Sequence, residues 1–179
     1  MQQQGQSGSR AFADYFGARR DAVRRTAYLL CGDWHWADDL TQMAFVRLAA
    51  SWGRVREPAA LDAFLRTCLI RVYLAETRRV WRRRERTYAD LPEQSSSSNA
   101  TENVDGRLTF VAALKQVPPR QRATLVCRFY QGLDVYQTAE VLGCSVGTVK
   151  SQTARGLATL RGLLDSTITA QLLRDEVTA

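Results

Sequence analysis

The sequence predicts an all-α protein: two small helical domains joined by a flexible acidic linker, the second containing a helix-turn-helix. Three observations carry this. Apolar residues recur three and four apart along most of the 179 residues, and no useful length of chain alternates apolar and polar as a strand would. Around Gly143 a glycine turn separates two helical stretches. The charge is also partitioned: residues 10–86 carry a net +7, 87–107 a net −3, 108–164 a net +5 and 165–179 a net −2. These divisions set the expected organisation. Residues 1–9 form a disordered tail, 10–86 a first domain, 87–107 the linker, 108–164 a second domain and 165–179 a C-terminal tail.

The opening Gln/Gly/Ser-rich residues lack an apolar pattern. From Arg10, the positions Phe12, Tyr15, Phe16, Val23, Ala27 and Leu30 fall near helical spacing. Gly32 suits a C-terminal cap and Asp33 an N-cap for the helix after it. That second helix is expected from about Trp34 to Ser51, with Trp36, Leu40, Met43, Ala44 and Leu48 turned inward. Pro58 fits the first turn of a third helix. Its apolar positions include Leu61, Phe64, Leu65, Cys68, Leu69, Val72 and Tyr73, and it ends in a basic run through Arg84. Pro92, four serines from Ser95 and scattered carboxylates mark the linker. Helical spacing returns with Leu108, Val111, Leu114 and Val117. Pro118-Pro119 then starts a helix whose expected apolar face is Leu125, Val126, Phe129 and Leu133.

Composition narrows the function. Hydrophobic residues make up 45%, enough for a packed core, and the net charge is +7. Of 25 cationic side chains only Lys115 and Lys150 are lysines. Arginine forks onto phosphate and guanine better than lysine, although a GC-rich genome also favours it. Cys31, Cys68, Cys127 and Cys144 are scattered and His35 is the only histidine, so no zinc spacing exists. No metal or cofactor is expected, and the cysteines read as small hydrophobes kept reduced in a cytoplasm. The N-terminus lacks the apolar core of a signal peptide, and no run is long enough for membrane insertion. No phosphate loop or nucleophile elbow is present, which argues against an enzyme.

The segment from Val135 to Arg155 is the most informative. A helix ends at Leu142, Gly143 supplies a left-handed turn, and Ser145 caps the next helix. Val146, Val149, Thr153, Leu157, Leu160 and Leu164 are expected to face the core. Thr148, Ser151, Gln152 and Arg155 then share an outer face at i, i+3, i+4 and i+7. Short polar side chains followed by a guanidinium suit entry of a helix N-terminus into the major groove, with Lys150 placed for a phosphate. An ordinary polar helix surface is the competing explanation.

Two segments together resemble a known family. Residues 114–161, with Val117-Pro-Pro-Arg-Gln-Arg122 and Gly143-Cys-Ser-Val-Gly-Thr-Val-Lys-Ser151, resemble domain 4 of sigma-70 factors. Residues 37–48, Ala-Asp-Asp-Leu-Thr-Gln-Met-Ala-Phe-Val-Arg-Leu, resemble the polymerase-binding helix of domain 2. The size points to the extracytoplasmic-function (ECF) group, and residues 32–58 resemble an actinobacterial subgroup. The resemblance implies binding to core RNA polymerase, at the β′ clamp helices and the β flap, and to promoter DNA. It also implies an anti-sigma protein as regulator. Asp38, Asp39, Leu40, Gln42 and Phe45 would dock on the clamp helices. Residues 64–77 would read and open the −10 element, through Phe64, Arg66, Thr67 and Arg71, with Arg78, Arg79 and Arg82 on phosphates. Ser145, Thr148, Lys150, Ser151, Gln152 and Arg155 would read the −35 duplex. Arg71 departs from the asparagine that many relatives carry there. Tyr73 and Trp81 are candidates for base stacking, with packing the alternative.

The rival reading is a stand-alone helix-turn-helix regulator. It predicts a dimer on a palindromic operator, whereas a sigma factor predicts an asymmetric two-part promoter and tight binding to polymerase.

Overall fold

A computed structural model describes the backbone of residues 2–54, 58–87 and 106–178, and the side chains of residues 8–54, 60–83 and 110–165. Among the described residues the chain is helical and has no strand. The elements are α1 (Gln2–Cys31), α2 (Trp34–Ala49), a 3₁₀ turn (Trp52–Arg54), α3 (Pro58–Thr87), α4 (Gly106–Gln116), α5 (Pro119–Leu125) running into a π-helical turn (Val126–Tyr130), α6 (Val135–Leu142) and α7 (Val146–Thr178). Most of the expected linker lies outside the described residues.

Local chemistry explains the breaks. Gly32 takes a φ of 69°, and the Asp33 carboxylate accepts the Trp36 amide at 2.8 Å, so one helix ends and the next is capped within two residues. Asp134 caps α6 through Tyr136 and Gln137, while the Gln137 side chain returns to the Asp134 amide at 3.0 Å, a capping box. Two ends differ from expectation. α1 begins at Gln2, within the segment expected to be a disordered tail: glutamine is a good helix former and no proline intervenes. α7 likewise continues to Thr178 through the expected C-terminal tail.

In the first domain α1, α2 and α3 pack together around Leu30, Leu40, Leu48, Leu69, Ile70, Val72 and Tyr73, all fully buried. Phe12 and Phe16 meet Phe45 edge-on at 6.5 and 4.7 Å. In the second domain Val117, Ala123, Cys127 and Val149 are fully buried. Here two expected core residues turn outward. Phe129 is 61% exposed, because the π turn adds a residue to the helical repeat and rotates the side chains beyond it. Leu157 is 37% exposed, because Gly156 is the residue that meets α5. A Cβ on Gly156 would come within 3.2 Å of the Leu125 side chain, so the missing side chain is what permits this approach.

The two domains pack on each other: α3 against α5 and α6, and α1 against α4 and the π turn. Arg122, 7% exposed, lies at the centre of this seam. Its guanidinium donates to Leu30 O at 2.6 Å, to Val117 O at 2.9 Å and to Lys115 O. Leu30 sits in the last turn of α1, and Lys115 and Val117 at the end of α4. Two helix C-termini therefore direct their partial negative charge onto one cation. Burial lowers the Arg122 pKa, an effect opposed by Tyr73 and Cys31.

Candidate nucleic-acid interface

The second-domain face starts at a tight turn. Gly143 takes a φ of 62°; its amide and that of Cys144 return to Glu140 O and Ala139 O. The Ser145 hydroxyl accepts the Thr148 amide at 3.1 Å and pairs with the Thr148 hydroxyl at 2.9 Å. These bonds anchor the start of α7 while Val149 is fully buried beneath it. Lys150, Ser151 and Arg155 are exposed; Thr148 and Gln152 are half-buried. The expected face therefore exists, and its inner edge is partly covered.

Residues proposed for −10 recognition are spread along α3. Arg78, Arg79 and Arg82 are exposed at its far end, where Arg79 lies 3.8 Å from Glu76. Trp81 is 61% exposed beside them, while Tyr73 is 1% exposed. Tyr73 is thus core, and Trp81 is left as the surface aromatic. Phe64 packs partly against the core, and the Thr67 hydroxyl donates to Ala63 O. Arg66 and Arg71 have partners in the second domain, Arg66 half-buried and Arg71 exposed. Arg66 Nε donates to Gln131 Oε1 at 3.2 Å, and Arg71 lies 3.4 Å from Glu140 O and Val141 O.

On α2 the expected docking residues divide. Leu40 and Phe45 are 0% and 3% exposed, so they present no surface and instead pack beneath it. Asp38 is held by Arg24 at 2.5 and 3.0 Å, and this hydrogen bond lowers its pKa. Arg24 also lies over the Trp34 ring at 4.5 Å. The outer face is formed by Asp39, Gln42, Met43 and Val46, at i, i+3, i+4 and i+7, with Val46 69% exposed. Sequence reading placed Met43 in the core and passed over Val46. Two apolar side chains left exposed beside polar ones were the signal available.

An open apolar groove of about 630 Å³ lies where the domains meet. Tyr28 and Trp34, stacked at 3.9 Å, form one wall, and Phe110, Phe129 and Leu157 the other. The outward turn of Phe129 and Leu157 builds that second wall. Among the described residues no cluster of side chains could hold a metal, and no helix is long and apolar enough to cross a membrane.

Comparison with known proteins adds to this geometry. Residues 16–83 match the family described as Sigma-70 region 2, and residues 107–160 match Sigma-70, region 4. The RNA polymerase sigma-E factor of Streptomyces avermitilis is 35% identical over 158 residues, covering 87% of this chain and 86% of that protein. The ECF RNA polymerase sigma factor SigM of Mycobacterium tuberculosis is 30% identical over 154 residues, 86% of this chain and 77% of that one. Among solved structures, the sigma factor RpoE in complex with the anti-sigma factor NepR from Bartonella quintana superposes with a TM-score of 0.67. It is 23% identical and covers 87% of this chain and 97% of that one, a likeness of fold.

Proposed function

Because the chain belongs to the sigma-70 family of RNA polymerase sigma factors, in the ECF group, and so binds core polymerase and directs promoter-specific initiation, we propose a division of that work between its two domains. The outer face of α2 docks on the β′ clamp helices, and the second domain reaches the β flap. The N-terminal face of α7 reads the −35 duplex through the major groove, and α3 captures the opened −10 strand. The observation that carries this is the start of α7: a capped helix with Lys150, Ser151 and Arg155 exposed over a buried Val149. The chemistry is binding, with no catalytic step, and it takes place in the cytoplasm where polymerase is. An anti-sigma protein is the further partner in this reading, supported by an apolar groove that both domains line. Recovery of polymerase alone from native cells under every growth condition counts against that partner.

The test is reconstitution. Core polymerase plus this chain should yield transcripts from a discrete set of promoters in a genomic library. Transcription no more selective than that of core enzyme alone overturns the reading. A finer expectation concerns α2. Val46→Asp places a charge on the most exposed apolar side chain of the proposed docking face without touching the core, so core-polymerase affinity should fall at least about tenfold. Helicity should be unchanged by circular dichroism. Wild-type affinity for polymerase would move the docking face elsewhere.

A further inference from the structure

We propose that the adjacent carboxylates of Asp38 and Asp39 do different work: Asp39 meets polymerase, while Asp38 is a positioning residue that sets the pose of the docking face from within. This rests on the docking role given above to the outer face of α2 and deepens it. The two side chains lie about 100° apart around the helix. Asp39 is exposed, in line with Gln42, Met43 and Val46, and takes part in none of the ion pairs among the described residues. Asp38 is half-buried and meets α1, where Arg24 holds it with both arms of its fork. Nε donates to Oδ1 at 2.5 Å and Nη2 to Oδ2 at 3.0 Å.

The same guanidinium lies 4.5 Å from the centre of the Trp34 ring, and Trp34 stacks on Tyr28 at 3.9 Å with the planes 6° apart. Arg24 and Tyr28 are one turn apart on α1, and Trp34 and Asp38 one turn apart on α2. The four therefore interleave in the order Tyr28, Trp34, Arg24, Asp38, a clamp across the corner between the two helices. Gly32 and the Asp33 cap turn the chain at this corner, and the clamp holds the first turns of α2 against rotation. A polymerase cation that reached for Asp38 would have to break both hydrogen bonds and leave Arg24 unpaired. The pair carries no net charge, and Arg20 and His35 already act on the same carboxylate. Asp38 therefore adds little attraction of its own. Asp39 is the carboxylate left for an ion pair with a partner cation.

The test measures the affinity of the full chain for core polymerase at several salt concentrations. Asp39→Asn removes an ion pair between the proteins, so affinity should fall about fivefold and its salt dependence should flatten. Asp38→Asn should cost about threefold, the scale of a partly exposed ion pair, with the salt dependence of the wild type. Arg24→Gln should cost the same, and the double variant no more than either single one, because the two residues act as a unit. At saturating concentration, Asp38→Asn and Arg24→Gln should reach the wild-type level of promoter-specific transcript, since they alter assembly and leave promoter reading intact. Helicity should be unchanged. Should Arg24→Gln fail to fold, Arg24→Lys, which keeps the charge and loses the fork, takes its place in the cycle. Wild-type affinity in Asp38→Asn overturns the proposal. So does a flattened salt dependence in that variant, a lowered transcript plateau, or losses that add in the double variant. Wild-type affinity in Asp39→Asn instead overturns the docking face on α2 itself, so the two readings fail by different results.

Discussion

Arg122→Ala should destabilise the chain by about 3–5 kcal/mol, because one guanidinium donates to three carbonyls, the bonds to Leu30 and Val117 buried and that to Lys115 partly so. The loss should also change how the protein unfolds. Leu30 belongs to the first domain and Arg122 to the second, so this bond couples their stabilities. All four tryptophans, Trp34, Trp36, Trp52 and Trp81, lie in the first domain. Tryptophan fluorescence thus reports that domain, while circular dichroism reports the helices of both. In urea the wild type should give coincident transitions by the two probes, as a cooperative unit does. In Arg122→Ala part of the dichroism signal should be lost at lower urea than the fluorescence signal. Arg122→Lys keeps the charge but not the fork that reaches separate carbonyls, and should fall between them. Coincident transitions in Arg122→Ala, with stability near wild type, would show that the seam does not couple the domains.

Local rules made part of this fold legible in advance. Gly32, Asp33, Gly143 and Ser145 act within a few residues of themselves, so their turns and caps are visible in the letters. Val149 and Leu160 were legible for the same reason: a helix anchored at Ser145 sets its own phase. Phe129 was misplaced because a π turn shifts the phase by one residue, and nothing nearby in sequence announces it. Leu157 was misplaced because the helix rolls to bring Gly156 against Leu125, a preference set by a partner helix rather than by α7 itself. On α2 the resemblance named a helix without naming its outer face. Leu40 and Phe45 satisfy the family pattern and the core together, while Met43 and Val46 remain outside. The contacts of Arg66, Arg71, Gln131 and Arg122 across the seam join residues far apart in sequence, where periodicity carries no information.

Promoter reading at the −35 element should depend on Arg155 and Lys150 in different ways. Arg155 is exposed two turns into α7, on the face begun by Thr148 and Ser151. If it forks onto a base edge, Arg155→Ala should cost about 1–3 kcal/mol of affinity for the cognate duplex and relax preference at one position. Lys150 is exposed beside that face, and a phosphate contact there is independent of sequence. Lys150→Ala should weaken all duplexes alike and flatten the salt dependence by about one unit of slope. The clean comparison is in the holoenzyme, using −35 duplex and premelted −10 DNA separately. There, Arg155→Ala and Lys150→Ala should affect only the duplex, and Arg71→Ala should affect only the premelted template. Loss of premelted binding by Arg155→Ala, with duplex binding intact, would reverse the assignment of the two domains.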